Sequence, residues 1–293
     1  MPHSTAEKRA AFRKLHLAGC FVIPNPWDAG SARYLEHAGF KAIASTSSGF
    51  AWSTGHPDNG VTRDTVLAHL RTLVDATDLP VNADFESGFG KTPDDVAQSV
   101  KMAVATGVAG LSIEDSTGSV NAPLFPLDEA VARMKAARRA IDETGGDTLL
   151  IGRAENFFAG VPDLDDTIAR LRAYAEAGAD CLYAPGIQSV EQIRAVVAAV
   201  APKPVNVLIG ATSPLTLQDL ADLGVRRVSV GGALARAAWG GFIRAATALA
   251  EGRFDGFEDA ASGATLNGLF RPGEPSPGIV HTPGMTATGA AGT

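Results

Sequence analysis

The chain has 293 residues, 45% of them hydrophobic and 19% charged, with a formal net charge of −7. That length allows one large α/β domain or two small ones, and an acidic balance without a basic cluster argues against nucleic acid as a partner. No run approaches the ~18–20 apolar residues of a membrane span, and the two cysteines, Cys20 and Cys181, form neither a metal spacing nor a disulfide framework, which fits a reducing cytoplasm.

The first stretch, "MPHSTAEKRAAFRKLH", is polar and charged, with no apolar leader core. Residues 1–18 are predicted to form a helix that precedes the main domain. An opening strand, "CFVIPN", follows. One phrase then returns along the chain: "HAGFKAIAS" from His37, "ATGVAGLSI" from Ala105, "EAGADCLYA" from Glu176 and "DLGVRRVSV" from Asp222. Each joins a helix end to a glycine suited to a left-handed C-cap, then to a short apolar strand. With "LPVNADF", "DTLLIGRAE" and "KPVNVLIG", about eight strands are predicted, near 20–25, 41–47, 80–85, 109–114, 148–153, 180–184, 204–208 and 226–230. Amphipathic helices separate them, such as "TPDDVAQSVKMAVATG", with a proline at its start and acids in its first turn. Strict alternation implies a parallel sheet, and about eight units imply a (β/α)8 TIM-type barrel over residues 19–262. A doubly wound open sheet is the second reading, although "IPNPWDAGSA" lacks a dinucleotide fingerprint. Residues 232–262 read as a long helix and a short one. Residues 263–293 read as a flexible tail, Pro/Gly/Thr-rich from Arg271.

In a barrel, polar residues at strand C-terminal ends are suspects for chemistry. "VNADFESGFG" ends strand 3 with Asp84 and Glu86. Strand 2 ends in "STSSG", with Asp58 in the "GHPD" beyond it. Glu114 and Asp115 end strand 4, Arg153 and Glu155 end strand 5, and strand 7 carries Asn206. Several carboxylates at one mouth repel unless a cation lies among them, and an oxygen-lined acidic site suits Mg²⁺ or Mn²⁺. Plainer readings stand beside these. Asp28 and Asp58 also read as caps or turn residues, Ser47 and Ser48 as turn residues, Arg153 as a structural bridge to Glu86 or Glu155, and Asn206 as a satisfied core amide.

The segments "NPWDAGSARYLEHAGFKAIASTSSGF", "GHPD", "VNADFESGFG", "GVAGLSIED" and "IGRAEN", in this order and spacing, resemble the isocitrate lyase/phosphoenolpyruvate mutase superfamily over about residues 20–250. The resemblance implies a (β/α)8 barrel whose C-terminal helix is exchanged between subunits of a homotetramer, a dimer of dimers. It also implies Mg²⁺ and a small 2-oxo or 2-hydroxy carboxylate substrate. It puts Asp84 nearest the metal, with Asp58, Glu86 and Glu114 holding metal waters. Glu86 stands where the family usually has a second Asp. The Thr46-Ser47-Ser48-Gly49 turn resembles the segment whose backbone N–H groups bind a substrate carboxylate, and Trp27 resembles a pocket wall. Arg153 resembles the arginine that meets a carboxylate or oxyanion, and Asn206 a further polar contact.

The loop after strand 4 departs from the family. "EDSTGSVNAPLFP" has no Cys, His or Lys, where the known lyases carry K-[KR]-C-G-H and the mutases a Lys–Asn pair. The expectation is therefore a Mg²⁺-dependent carbon–carbon lyase working through an enolate-like intermediate, with Arg153, Glu114 and Glu155 as catalytic residues. An oxaloacetate-type decarboxylase or hydrolase, or P–C bond chemistry, is the alternative. A non-catalytic carboxylate-binding barrel and a folate-dependent hydroxymethyl transferase stand further off.

Overall fold

In the computed structural model, which describes residues 2–271, eight parallel strands form one sheet in the order β1-β8-β7-β6-β5-β4-β3-β2. The strands are β1 (Phe21–Ile23), β2 (Ile43–Ala44), β3 (Val81–Asp84), β4 (Gly110–Glu114), β5 (Leu149–Arg153), β6 (Cys181–Tyr183), β7 (Val205–Leu208) and β8 (Arg227–Ser229). Pairing of β1 with β8 rolls the sheet into a (β/α)8 barrel rather than an open doubly wound sheet. The seam lies between β1 and β2, where the Ala44 N–H donates to Pro24 O at 3.0 Å. All eight predicted strands are present, each trimmed at one or both ends.

The repeated phrase does what its chemistry suggests. Gly39, Gly107, Gly178 and Gly224 have φ of +85°, +92°, +104° and +87°. Each ends a helix in the left-handed region that only glycine enters cheaply. Helix starts are equally explicit. α1 (Thr5–Leu15) and α2 (Ala29–His37) carry capping boxes from Ser4 with Glu7 and from Asp28 with Ser31. Asp28 is thus a helix cap. After α3 (Ser47–Ser53) and α4 (Arg63–Ala76), α5 (Pro93–Val104) is capped by Thr92 with Pro93 in its first turn. The remaining helices are α6 (Leu127–Glu143), α7 (Leu164–Glu176), α8 (Val190–Val200), α9 (Leu217–Asp222) and α10 (Ala233–Ala250), followed by a 3-10 turn at Asp255–Phe257. Residues 263–269, assigned to the tail in the sequence, form a short helix, α11 (Gly263–Leu269). Residues 272–293 of that tail lie outside the described residues.

Two apolar layers hold the barrel. The larger packs helices on the outer strand faces; the smaller fills the barrel with Phe12, Ile23, Ala42, Ala44, Ala109, Leu149, Ile151, Cys181 and Tyr183. Phe12 comes from α1, which lies across the N-terminal end of the barrel. Gly110 is required for this closure: a Cβ there would stand 2.7 Å from Phe12 Cε1 and 2.8 Å from Asn82 Oδ1. Lys8 and Arg9 tie α1 down by donating to the carbonyls of Val74, Thr77, Val104 and Val108.

Two histidines are buried neutral. His16 is 8% exposed and its Nδ1 faces Phe12 O at 2.8 Å; His69 is 7% exposed and stacks on Phe50. Burial, reinforced by the Arg227 charge, pulls His16 down to about 3, and burial pulls His69 down to about 4. Unfolded histidine titrates near 6.5, so stability is complete above that value and is lost as pH falls towards the folded values. At pH 5 each should cost about 2 kcal/mol, at ~1.4 kcal/mol per pKa unit. Urea midpoints at pH 7.5 and 5.0 check this: His16→Gln should shrink the loss between the two by about 2 kcal/mol, and an unchanged loss would refute it.

Candidate active site

A cavity of ≈ 600 Å³ opens at the C-terminal end of the strands. Strand alternation aims Asp84, Glu114, Arg153 and Tyr183 inward at this level, on β3, β4, β5 and β6, and register places Glu114 beside Arg153 and Arg153 beside Tyr183. One guanidinium serves three carboxylates. Arg153 Nη1 lies 3.1 Å from Asp84 Oδ1 and 3.1 Å from Glu114 Oε2, and Nε donates to Glu155 Oε1. Its carbon lies over the Tyr183 ring, 5.2 Å from the centroid. All four charged side chains are largely buried.

The electrostatics follow from crowding. Burial would lower the Arg153 pKa, but Glu114, Glu155, Tyr183 and Asp84 together hold it well above its ordinary value. Burial raises Glu114 well above the carboxylate range, against Arg153 and with Glu155, Asp84 and Glu86 adding to it; burial likewise raises Glu155. Asp84 is fixed at both oxygens, since Oδ2 accepts the Ser47 N–H at 2.9 Å. Glu86 follows in a turn, at a φ of +48° that a non-glycine residue rarely adopts. Its Oε1 is buried with no partner among the described residues. Burial, Asp84 and Asp58 push its pKa up to about 8. Asp58 stands at the exposed rim, its Oδ1 accepting the Asn59 N–H at 3.0 Å, and close protein on one side together with Asp84 raises its pKa.

These acids fit a hard divalent cation. Asp58, Asp84, Glu86, Glu114 and Glu155 face a single arginine, and one buried carboxylate oxygen is orphaned. Among the described residues no three Asp, Glu, His or Cys side chains form a ready cage. The set therefore suits an ion that keeps waters among its ligands, as Mg²⁺ does.

The other expected residues divide. Thr46, Ser47 and Ser48 line the cavity at the first turn of α3. Gly49 does not; its N–H donates to Thr46 Oγ1 at 3.2 Å, and a Cβ on it would meet Thr46, Ala235 and Trp27. Trp27 backs that turn rather than walling the cavity. Asn206 is fully buried below the cavity, with Nδ2 donating to Ser229 Oγ at 3.0 Å and Oδ1 accepting from Arg227 Nε at 2.9 Å. Asp115, at the end of strand 4, is spent on structure. It is 2% exposed; Oδ1 accepts the Glu155 N–H, and Oδ2 accepts from Arg170 Nη1 and Tyr174 OH. The loop beyond folds back on itself: Ser116 bridges to Leu124, and Phe125 lies under Arg133. Trp52 and Ser116 line the cavity; Asn121, Leu124 and Phe125 do not.

Sequence reasoning missed Asn25, Asn82, Tyr183, Arg227 and Ser229, which also line the cavity. Asn25 stitches the seam, donating to Ser45 O and accepting the N–H groups of Val230 and Gly231. The available signal was a polar residue at alternate positions of apolar strands, as in "VNAD" and "RVS".

The sequence profile of the family described as phosphoenolpyruvate phosphomutase matches residues 12–250. A crystal structure of a candidate lyase/mutase from Burkholderia cenocepacia J2315 is 50% identical, covering 93% of this chain and 99% of that one, with a TM-score of 0.89. Oxaloacetate decarboxylase of Bradyrhizobium sp. strain BTAi1 is 34% identical over 218 residues, 72% of this chain and 73% of that protein. The 2-methylisocitrate lyase of Escherichia coli K12 is 34% identical over 203 residues, 66% of this chain and 67% of that protein.

Proposed function

The chain belongs to the phosphoenolpyruvate phosphomutase family of the isocitrate lyase/phosphoenolpyruvate mutase superfamily, and from that premise we propose that it is a Mg²⁺- or Mn²⁺-dependent lyase acting on a small 2-oxo or 2-hydroxy carboxylate. The observation that carries the reading is one buried arginine shared by Asp84, Glu114 and Glu155 at the cavity mouth, with Glu86, whose Oε1 has no partner among the described residues, in the same electrostatic cluster. Asp84, Glu86, Asp58 and Glu114 would hold the metal. When bound, such an ion acts as a Lewis acid on the substrate's 2-oxygen.

The chain's own residues supply the rest. The Ser47 and Ser48 segment and the Thr46 hydroxyl orient a carboxylate. In a 2-oxo acid, cleavage of the C3–C4 bond sends its electron pair through C3 into the 2-oxo group; in a 2-hydroxy acid, ionised Glu155 takes the hydroxyl proton, C2 becomes a carbonyl and the C2–C3 pair leaves as an enolate on the other fragment. Arg153 meets the oxyanion that develops. Glu155, held protonated more readily than an ordinary carboxyl, returns a proton to the carbanionic carbon. The only loop side chain at the cavity after β4 is Ser116, so acid–base work falls to the barrel. This favours, as second reading, decarboxylation of an oxaloacetate-like acid, which needs little beyond enolate stabilisation. A Mg²⁺ assay across oxaloacetate, 2-methylisocitrate, 2,3-dimethylmalate and phosphonopyruvate tests both. Turnover of one of them should vanish in excess EDTA and return with Mg²⁺; full activity in EDTA would sink the reading.

A homotetramer is part of the same proposal. Helix α10 buries only Ala235 and Ala248, while Trp239, Phe242 and Ile243 are 39%, 62% and 57% exposed. An apolar face of that kind suits packing on a neighbouring subunit. Light scattering at micromolar concentration should give about four times the chain mass, and a monomer would count against it. Among the described residues no helix is long and apolar enough to cross a membrane.

A further inference from the structure

Three arginines of the described chain are almost wholly buried: Arg133, Arg170 and Arg227. The first two have acids at hand, Glu129 for Arg133, and Asp115 and Asp166 for Arg170. Arg227, 2% exposed at the start of β8, forms no ion pair among the described residues. Its Nε donates to Asn206 Oδ1 at 2.9 Å, and its Nη1 lies 3.4 Å from Asn82 Oδ1. Both amides are turned towards it by their other ends, since Asn206 Nδ2 donates to Ser229 Oγ and Asn82 Nδ2 to Ala83 O. Below it, His16 is neutral and offers no charge.

A buried cation without a counter-charge costs several kcal/mol, and two amide oxygens satisfy only two of the five N–H groups of a guanidinium. The other donors have one outlet. Arg227 lines the cavity, together with Asn82 and Ser112 of the same level. It precedes Ser229 by two residues on one inward row, roughly 7 Å nearer the barrel base. The cavity is therefore polarised along its depth, with acids around Arg153 at the mouth and a lone guanidinium at the floor.

We propose that Arg227, oriented by Asn82 and Asn206, is a second anion site that takes the distal carboxylate of a dicarboxylate substrate whose 2-oxo or 2-hydroxy end lies at the mouth. This rests on the function proposed above for that end. A fork with unspent donors in a dry site favours a carboxylate strongly, and the loop after β4 offers no cation for the same purpose.

The test uses (S)-malate and (S)-2-hydroxybutyrate, which share the hydroxy-acid end and four carbons and differ only in the distal carboxylate. Calorimetry on the Mg²⁺-loaded protein should show malate bound at least about tenfold more tightly. Arg227→Gln should bring the two within about twofold by weakening malate alone, and Arg227→Lys should fall between. If a folded Arg227→Gln protein keeps the wild-type ratio, or the wild type shows no preference, the proposal is overturned. Should Arg227→Gln fail to fold, Arg227→Lys decides: a ratio reduced by about threefold or more supports the site, and an unchanged ratio refutes it. Repeating the titrations in EDTA separates the two ideas. Loss of Mg²⁺ should weaken both ligands alike; if it weakens neither, the metal reading fails while the ratio still judges Arg227.

Discussion

Replacing Arg153 by methionine should lower kcat/KM by about 10²–10³ and stability at pH 7.5 by about 3–5 kcal/mol. The two effects have one origin. Arg153 supplies the positive charge at the mouth, and without it Asp84, Glu114 and Glu155 face one another in a poorly solvated space. The pKa values of Glu114 and Glu155, already raised by burial and held down by Arg153, would then rise further above the unfolded ones. A carboxyl raised on folding stabilises the protein below its unfolded pKa and loses that contribution as pH rises through the folded value. The variant should therefore be relatively more stable at pH 5 than at pH 8, opposite to the trend set by His16 and His69. Urea midpoints across that range read the sign, and steady-state kinetics read the rate. A variant that is destabilised but turns over normally would reduce Arg153 to a structural bridge.

Changing Asp84 to alanine should remove activity by at least about 10³-fold while leaving the fold in place. The substitution deletes the carboxylate expected nearest the metal, yet relieves repulsion among the acids, and Arg153 keeps Glu114 and Glu155 as partners. The Ser47 N–H loses its acceptor in this poorly solvated space, a loss of about 1–3 kcal/mol. Asp84→Asn retains the shape and one acceptor oxygen, so it should restore the hydrogen bond without restoring turnover. Calorimetric Mg²⁺ titration should show no binding to either variant. Activity within about tenfold of wild type would remove Asp84 from the metal site.

Much of the barrel was legible because its signals are local. Glycine after a helix end, followed by four or five apolar residues, states a helix stop and a strand start within ten positions, and Gly39, Gly107, Gly178 and Gly224 obey it. The acids were legible because strand ends are where a barrel keeps its chemistry. What was not legible depends on contacts between distant strands. Asp115 follows Glu114 directly, yet the strand's alternation turns it away from the cavity and onto Arg170 and Tyr174. Trp27 and Gly49 looked like site residues, but the seven-residue α3 turns Gly49 inward against Trp27, which packs behind it. Asn82, Asn206 and Arg227 are polar residues in apolar strands, and each alone is unremarkable as a core group. Only closure of the sheet brings them to one level across separations of 21 and 145 residues.

The helix stoppering the barrel base has a kinetic corollary. Among the described residues, Phe12 seated against Gly110 closes the floor. Whatever enters must back out through the doorway it came in by. A cleavage reaction leaves two fragments in this cul-de-sac, one behind the other. The outer fragment departs first, and the inner one waits for a clear path. Turnover then has an obligatory order of departure, in which the innermost fragment competes directly with fresh substrate and the outer one does not.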